Sequence, residues 1–109
     1  MVNIEEVVNI VIKKGFQPVE GKVNKVYKKG DIELSVWKVG HGSIELEFSF
    51  PRKIPASAEY IRTSIEKYMC IECLYNDDDG FYLAGVIYDS RIYENIEQVI
   101  NHILKFKGE

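Results

Sequence analysis

This 109-residue chain contains two cysteines three positions apart. Of all its residues, their type and spacing are the most typical of a reactive or metal-binding site. A Cys-x-x-Cys pair, here Cys70 and Cys73, is typical of a thiol redox centre or of half a zinc site. This pair follows a predicted helix, where the helix dipole disfavours a thiolate. A closed zinc site needs four ligands, and His41 and His102 are the only histidines in the sequence. The sequence therefore predicts two small core residues and no metal site, with a disulfide and a zinc site as the alternatives.

Acidic residues occur in two patterns that are also found in cation sites and acid–base pairs. The Asp-Asp-Asp-Gly run at 77–80 fails the spacing of a calcium-binding loop, because counting back from its glycine puts Tyr75 at the first ligand position. This run predicts a hairpin turn instead. Glu33, Glu45 and Glu47 fall on one face of two predicted strands, which is more typical of a solvated sheet face than of catalytic carboxylates.

Neither histidine is predicted to act in catalysis. His41 lies between two glycines at a predicted hairpin tip, with no serine or cysteine nucleophile beside it. His102 lies on the polar stripe of the last predicted helix, so we expect it to be exposed to solvent. The sequence also lacks a P-loop and a GxGxxG dinucleotide fingerprint. We therefore expect no cofactor and name no catalytic residue.

The residues that the sequence singles out for contact with a partner are a tryptophan and a lysine-rich strand. Trp37 falls on an otherwise polar strand face, where it either anchors an interface or packs under the first helix. The lysines around Tyr27 fit phosphate contacts as well as an edge strand that is protected from aggregation by charge. The candidate interaction residues are Trp37, Lys22, Lys25, Tyr27 and Lys28.

The net charge of −3 is unevenly spread along the chain. Segment 13–29 holds six lysines and one glutamate, a balance of +5, whereas the rest holds 8 basic and 16 acidic residues, a balance of −8. Two copies can therefore place the basic edge of one near an acidic surface of the other, and we expect a homodimer. The overall acidity argues against nucleic acid as a general partner.

Hydrophobic periodicity predicts the elements that position these residues. Apolar residues recur at helical spacing in three segments, and the first of these ends at Gly15. Two strands with strict alternation of apolar and polar residues flank the Gly-His-Gly loop at 40–42. The three helical segments are 4–14, 56–70 and 91–106. The other predicted strands are 23–28, 71–76 and 81–88, of which the last is a central, well-covered strand.

The two alternating strands have to pair so that their apolar faces coincide, because a slip of one residue would move every side chain to the other face. A three-residue loop that pairs Val39 with Ser43 satisfies this rule. The cross-strand pairs that follow are Leu34 with Phe48, Val36 with Leu46, and Trp37 with Glu45.

The predicted order α-β-β-β-α-β-β-α belongs to the α+β class, with one mainly antiparallel sheet and helices packed on an apolar face. The length predicts a single domain that spans residues 1–109. No stretch approaches the ~20 apolar residues of a membrane span. Glu5 and Glu6 stand where a signal peptide would be basic, so we expect a cytoplasmic protein without membrane contact. The Glu/Lys-rich charges lean towards a thermophilic source.

This order of elements resembles that of the YbjN-like and type III secretion chaperone-like proteins. The likeness lies in a helix that ends in Gly15-Phe16, a helix begun by proline, and the stretch from Tyr68 to Tyr88, with its helix end, short strand, acidic turn and long strand. The resemblance implies a small α+β protein, often a homodimer, that binds other polypeptides and catalyses no reaction. We therefore expect a non-enzymatic protein-binding module that takes a protein client. A nucleic-acid-associated factor that uses segment 13–29 is the alternative, and a small enzyme comes third.

Leu46→Ala is expected to lower the free energy of unfolding by roughly 2–5 kcal/mol, because Leu46 faces the predicted core. Glu47→Ala, on the other face, is expected to cost less than about 0.5 kcal/mol. Urea denaturation of the two variants measures the difference, and equal losses would show that the faces are wrongly assigned.

Overall fold

The computed structural model describes residues 1–21, 25–88 and 90–108, apart from the side chain of Lys25. Three helices and six strands occur in these ranges, in the order α-β-β-β-β-α-β-β-α. The helices are α1 (Ile4–Lys13), α2 (Ala58–Ile65) and α3 (Ile92–Lys107). The strands are β1 (Gln17–Pro18), β2 (Lys25–Lys29), β3 (Ile32–Val39), β4 (Ser43–Phe50), β5 (Cys70–Asp77) and β6 (Gly80–Ile87).

The α+β class is confirmed, with one strand more than predicted. The additional strand, β1, has two residues, which is too short for any periodicity to show in the sequence. Helix α2 is shorter than the predicted range 56–70. It begins after Ser57, whose hydroxyl accepts a hydrogen bond from the Tyr60 amide, and it ends in a turn whose last amide, that of Met69, still bonds to the Ile65 carbonyl.

All six strands form one antiparallel sheet in the order β1-β2-β3-β4-β6-β5. The predicted register of β3 on β4 is confirmed, including the pair of Trp37 with Glu45. Strand β6 lies between β4 and β5, which confirms that it is an interior strand. The sheet therefore has two unequal edges, the two residues of β1 and the eight residues of β5.

The three helices cover the same face of the sheet. Their inward stripes and the alternate side chains of the strands form one buried apolar cluster. The helices contribute Val7, Val11, Ile61, Ile65, Ile96, Val99, Ile100 and Ile103. The strands contribute Tyr27, Ile32, Leu34, Val36, Ile44, Leu46, Phe48, Phe81, Leu83 and Ile87. None of the described helices combines the length and the apolar content needed to cross a bilayer.

The opposite side of the sheet is not covered by any described helix, and we call it the open face. Strand pairing assigns to it every second residue of β2 to β6. Its residues are Val26, Lys28, Glu33, Ser35, Trp37, Glu45, Glu47, Ser49, Cys70, Cys73, Tyr75, Asp77, Tyr82, Ala84 and Val86.

A glycine lets β5 approach β6 closely at the point where β5 is irregular. The register of β5 on β6 shifts between Ile71 and Cys73, which is a β-bulge. A methyl group on Gly85 would lie 2.5 Å from the Cys70 carbonyl oxygen and 2.8 Å from Cγ of Met69. Only a residue without a side chain therefore fits beneath this bulge.

Gly85→Ala is expected to lower the free energy of unfolding by about 1–3 kcal/mol, because the backbone of β5 has to move to make room for the methyl group. Gly42→Ala is the matched control, since nothing lies within 4 Å of its new methyl group. We expect the control to stay within about 0.5 kcal/mol of the wild type. Thermal and urea unfolding measure both, and a Gly85→Ala variant as stable as its control would contradict the close approach.

Candidate functional site

Trp37 lies on the open face, among residues that are distant in sequence. It is opposite Glu45 of β4, and Glu45 is opposite Val86 of β6. The indole is half-buried although no described helix covers it. Since the buried residues of α1 belong to the core on the other face, the alternative that Trp37 packs under the first helix is wrong.

Two carboxyl groups meet across β6 on the open face. Glu72 lies in the bulge of β5, and its carboxyl group hydrogen-bonds with that of Glu45. Burial raises the pKa of Glu45, and the hydrogen bond and charge of Glu72 raise this pKa further, with a smaller contribution from Glu47. Each of these causes disfavours the charged form of Glu45, so its carboxyl group ionises less readily than that of an isolated glutamate.

A separate side-chain contact on the open face links β4 to its neighbour β6. The Tyr82 hydroxyl donates a hydrogen bond to Oε1 of Glu47. That hydrogen bond, and then burial, raises the pKa of Tyr82. The ring of Tyr75 from β5 stacks on the ring of Tyr82, with 5.6 Å between the centroids. Glu47→Ala therefore removes a hydrogen bond that the sequence did not reveal, in addition to a half-buried carboxylate.

These side chains form one continuous group, which we call the acidic–aromatic patch. Its members are Trp37, Glu45, Glu47, Glu72, Tyr75 and Tyr82. Strands β4, β5 and β6 contain no lysine or arginine, whereas β2 contains three lysines. The charge of the sheet is therefore divided, with a basic end at β2 and an acidic end at β5.

The patch lies on a sheet face and is not enclosed in a cavity. A cavity of about 480 Å³ lies instead on the helix side, between the end of α2 and α3, and Lys67, Tyr68 and Asn95 contribute to its lining. Small-molecule sites are usually concave and bury most of their ligand. The shape of the patch therefore fits contact with a macromolecule better than enclosure of a small substrate.

Three of the five candidate interaction residues are fully described, and they do not share one face. Trp37 and Lys28 share the open face, and Lys28 is exposed opposite Glu33. Tyr27 points to the other face and is only 4% exposed, so burial raises its pKa and leaves no ring surface for stacking on a base. Its place among the interaction residues is a wrong prediction, because it occupies a core position of β2.

The remaining two candidates are lysines whose side chains lie outside the described residues. Lys25 belongs to β2 and pairs with Val36, while its side chain lies outside the described residues. Lys22 also lies outside the described residues.

The prediction that both cysteines lie in the core is wrong. Cys70 and Cys73 are exposed, free thiols, because β5 is an edge strand and its bulge brings both residues to the open face. The thiol of Cys70 hydrogen-bonds with Tyr88 and raises the pKa of that phenol. Within the described ranges, no group of three or more His, Cys, Asp and Glu side chains is arranged to hold a metal ion.

The two histidines differ in environment. His41 is exposed at the hairpin tip, as predicted. His102 is half-buried, which differs from the prediction, because its ring stacks between Tyr68 and Phe106 at centroid distances of 5.6 and 5.9 Å. Burial lowers the pKa of His102, and the nearby charges of Lys105 and Lys67 lower it further.

Sequence reasoning missed three members of the acidic–aromatic patch. Glu72 has no period-2 signal, because the bulge shifts the alternation of β5 at that point. Tyr82 belongs to a strand whose sequence is apolar on both faces, so nothing in its neighbours marks one side as open. The exposed Tyr75 precedes the acidic turn, and its position in a predicted hairpin was the one signal available.

No family model, no curated protein and no solved structure matches this chain. The likeness to the YbjN-like and type III secretion chaperone-like proteins therefore stays a prediction.

Glu45→Gln is expected to gain stability relative to the wild type as the pH rises from about 4 to about 7. Because its folded-state pKa is raised, Glu45 stabilises the folded state most below its unfolded pKa and loses this contribution as the pH rises through the folded pKa. Glutamine imitates the protonated side chain at every pH.

Glu33→Gln, on the same face but opposite Lys28, is the control and is expected to show no such gain. Urea denaturation at several pH values measures both variants. A stability difference between Glu45→Gln and wild type that does not change with pH would show that the pKa of Glu45 is not raised in the folded state.

Proposed function

We propose that the chain is a small non-enzymatic module that binds another polypeptide on the open face of its sheet. The observation that supports this most directly is the acidic–aromatic patch, because it lies on a sheet face that no described helix covers. A half-buried tryptophan on such a face loses most of its remaining contact with water when a partner covers it.

The residue types of the patch favour a protein partner. Tryptophan and tyrosine contribute a large share of the binding energy in many protein interfaces. Trp37, Tyr75 and Tyr82 provide three such side chains, and the Tyr75–Tyr82 stack and the Glu47 hydrogen bond hold two of them in place. Rings that are already ordered lose less conformational entropy on binding.

The charge of the patch favours a basic partner. Three carboxyl groups lie together on strands that contain no lysine or arginine. Complementary charge speeds encounter and rejects acidic competitors, so the partner segment is expected to carry lysine or arginine. The same carboxylates repel phosphate groups, and with Tyr27 buried the nucleic-acid alternative has less support.

Self-association is part of this proposal. The chain itself carries six lysines and one glutamate in segment 13–29, and a two-fold dimer would place that segment of each copy against the patch of the other. A homodimer, a protein client and a cytoplasmic location all stay predictions. Sedimentation at micromolar concentration separates the first two, because a client-binding monomer keeps the mass of one chain.

Trp37 is the chain's one tryptophan, so its fluorescence reports on the patch alone. A polylysine peptide is expected to change this emission, with an effect that weakens as salt is added, and a polyglutamate peptide is expected to leave it unchanged. The double variant Glu45→Gln with Glu47→Gln should weaken polylysine binding on the order of tenfold.

The matched control is Glu5→Gln with Glu6→Gln, which changes the net charge equally but lies in α1, away from the open face. We expect it to bind polylysine as the wild type does. Equal weakening by the two double variants would show that net charge, and not the patch, attracts the peptide.

A further inference from the structure

The two edges of the sheet are protected to different degrees. Strand β2 is covered by β1, and the Val19 amide extends this cover by bonding to the Val26 carbonyl. Pro18 of β1 has no amide hydrogen to offer a further strand. Strand β5, in contrast, is an eight-residue edge without proline or lysine, the residues that commonly prevent pairing at exposed edges.

The outer side of β5 has backbone groups that its own sheet does not use. Within the described part of the chain, β6 is the one strand that pairs with β5, and no other backbone hydrogen bond reaches residues 70–77. In an antiparallel edge strand, about every second residue directs its N–H and C=O away from the sheet. An extended segment placed beside β5 would receive these hydrogen bonds.

Among the described residues, the connection from β4 to α2 contacts β5 through a side chain and makes no backbone hydrogen bond with it. The carboxamide of Asn76 bonds to the amide and carbonyl of Ile54 and to the carbonyl of Ala56. Asn76 pairs with Phe81 and so points to the helix face. The connection is therefore tied to the helix face, beneath β5.

The charge of the edge decides which segment fits. Glu72, Asp77 and the turn residues Asp78 and Asp79 make this end of the sheet acidic. Two copies of β5 side by side would bring these carboxylates together, which disfavours pairing of β5 with itself. A segment that carries lysine or arginine has the complementary charge.

The side chains that flank the edge specify a pattern as well as a charge. On the helix face, Ile71 and Leu74 are half-buried and pack against the core. On the open face, Tyr75 and the carboxylates of Glu72 and Asp77 are exposed. A strand added here would direct alternate side chains to an apolar side and to an acidic side.

We propose that β5 binds an extended partner segment as a seventh strand of the sheet, and that this segment alternates basic with apolar residues. The inference rests on the proposed function, because it names the segment of the basic polypeptide and the part of the chain that receives it. The bulge between Ile71 and Cys73 limits regular pairing to residues 73–77, so a segment of about five to seven residues is sufficient.

Three synthetic heptapeptides of alternating lysine and valine test the proposal by isothermal titration calorimetry. One is unmodified, one is N-methylated on every lysine, and one is N-methylated on every valine. In an added strand, successive amides point alternately to β5 and to solvent. One methylated peptide is therefore expected to lose more than about tenfold in affinity, and the other is expected to bind nearly as well as the unmodified peptide.

Equal retention or equal loss in the two methylated peptides overturns the inference, and so does an unmodified peptide that does not bind. The polylysine titration of Trp37 then tells whether the proposed function fails as well. If polylysine still binds in the manner described above, the open face holds the partner without strand addition, and if it does not, both are wrong.

Two charge-reversal variants test whether the peptide binds at the β5 edge. Glu72→Lys, at the β5 edge, is expected to weaken the unmodified peptide by roughly tenfold. Glu33→Lys makes the same charge change on the same face in β3, three strands away from β5, and is expected to have little effect. Circular dichroism checks that both variants fold. Equal weakening would place the peptide away from the β5 edge and overturn the inference.

Discussion

The placement of all three helices on one side of the sheet is the constraint on which the rest of the structure depends. Leu34, Phe48 and Leu83 lie side by side in three neighbouring strands and need an apolar cover. The helices provide it with stripes of isoleucine and valine that enter the same cluster. Burial of this one face is the main source of stability, since about 25 cal/mol is gained per Å² of apolar surface removed from water. A single helix layer necessarily leaves the second face of the sheet without cover.

The open face is ordered by its own contacts instead of by a helix layer. Its carboxyl groups pair with each other or accept from a phenol, and its tyrosines stack across neighbouring strands. A purely solvated face would need none of these contacts. Burial and the neighbouring Glu72 raise the pKa of Glu45, and perturbed pKa values are more typical of functional surfaces than of purely solvated ones.

The register of β3 on β4 could be predicted because strict alternation excludes every pairing that separates the apolar faces, and the three-residue loop between the strands selects one of those that remain, as the pairs around Val36 and Leu46 show. Tyr27 could not be placed, because a short strand of lysines and aromatics has no apolar face that the sequence reveals. The bulge of β5 was also invisible, since a shift of one residue leaves no trace in residue types. Because of this one bulge, the cysteines were misplaced and Glu72 was missed.

The three hydrogen bonds made by the Asn76 carboxamide couple local unfolding of the sheet edge to that of helix α2. Asn76 belongs to the edge strand, while its partners, Ile54 and Ala56, lie just before the helix that packs over that strand. Detachment of β5 would leave these amide and carbonyl groups without partners, so the strand and the start of α2 form one cooperative unit in hydrogen exchange. The amides of α2 would accordingly exchange at the rate at which the sheet edge frays, although the helix itself is not part of the sheet.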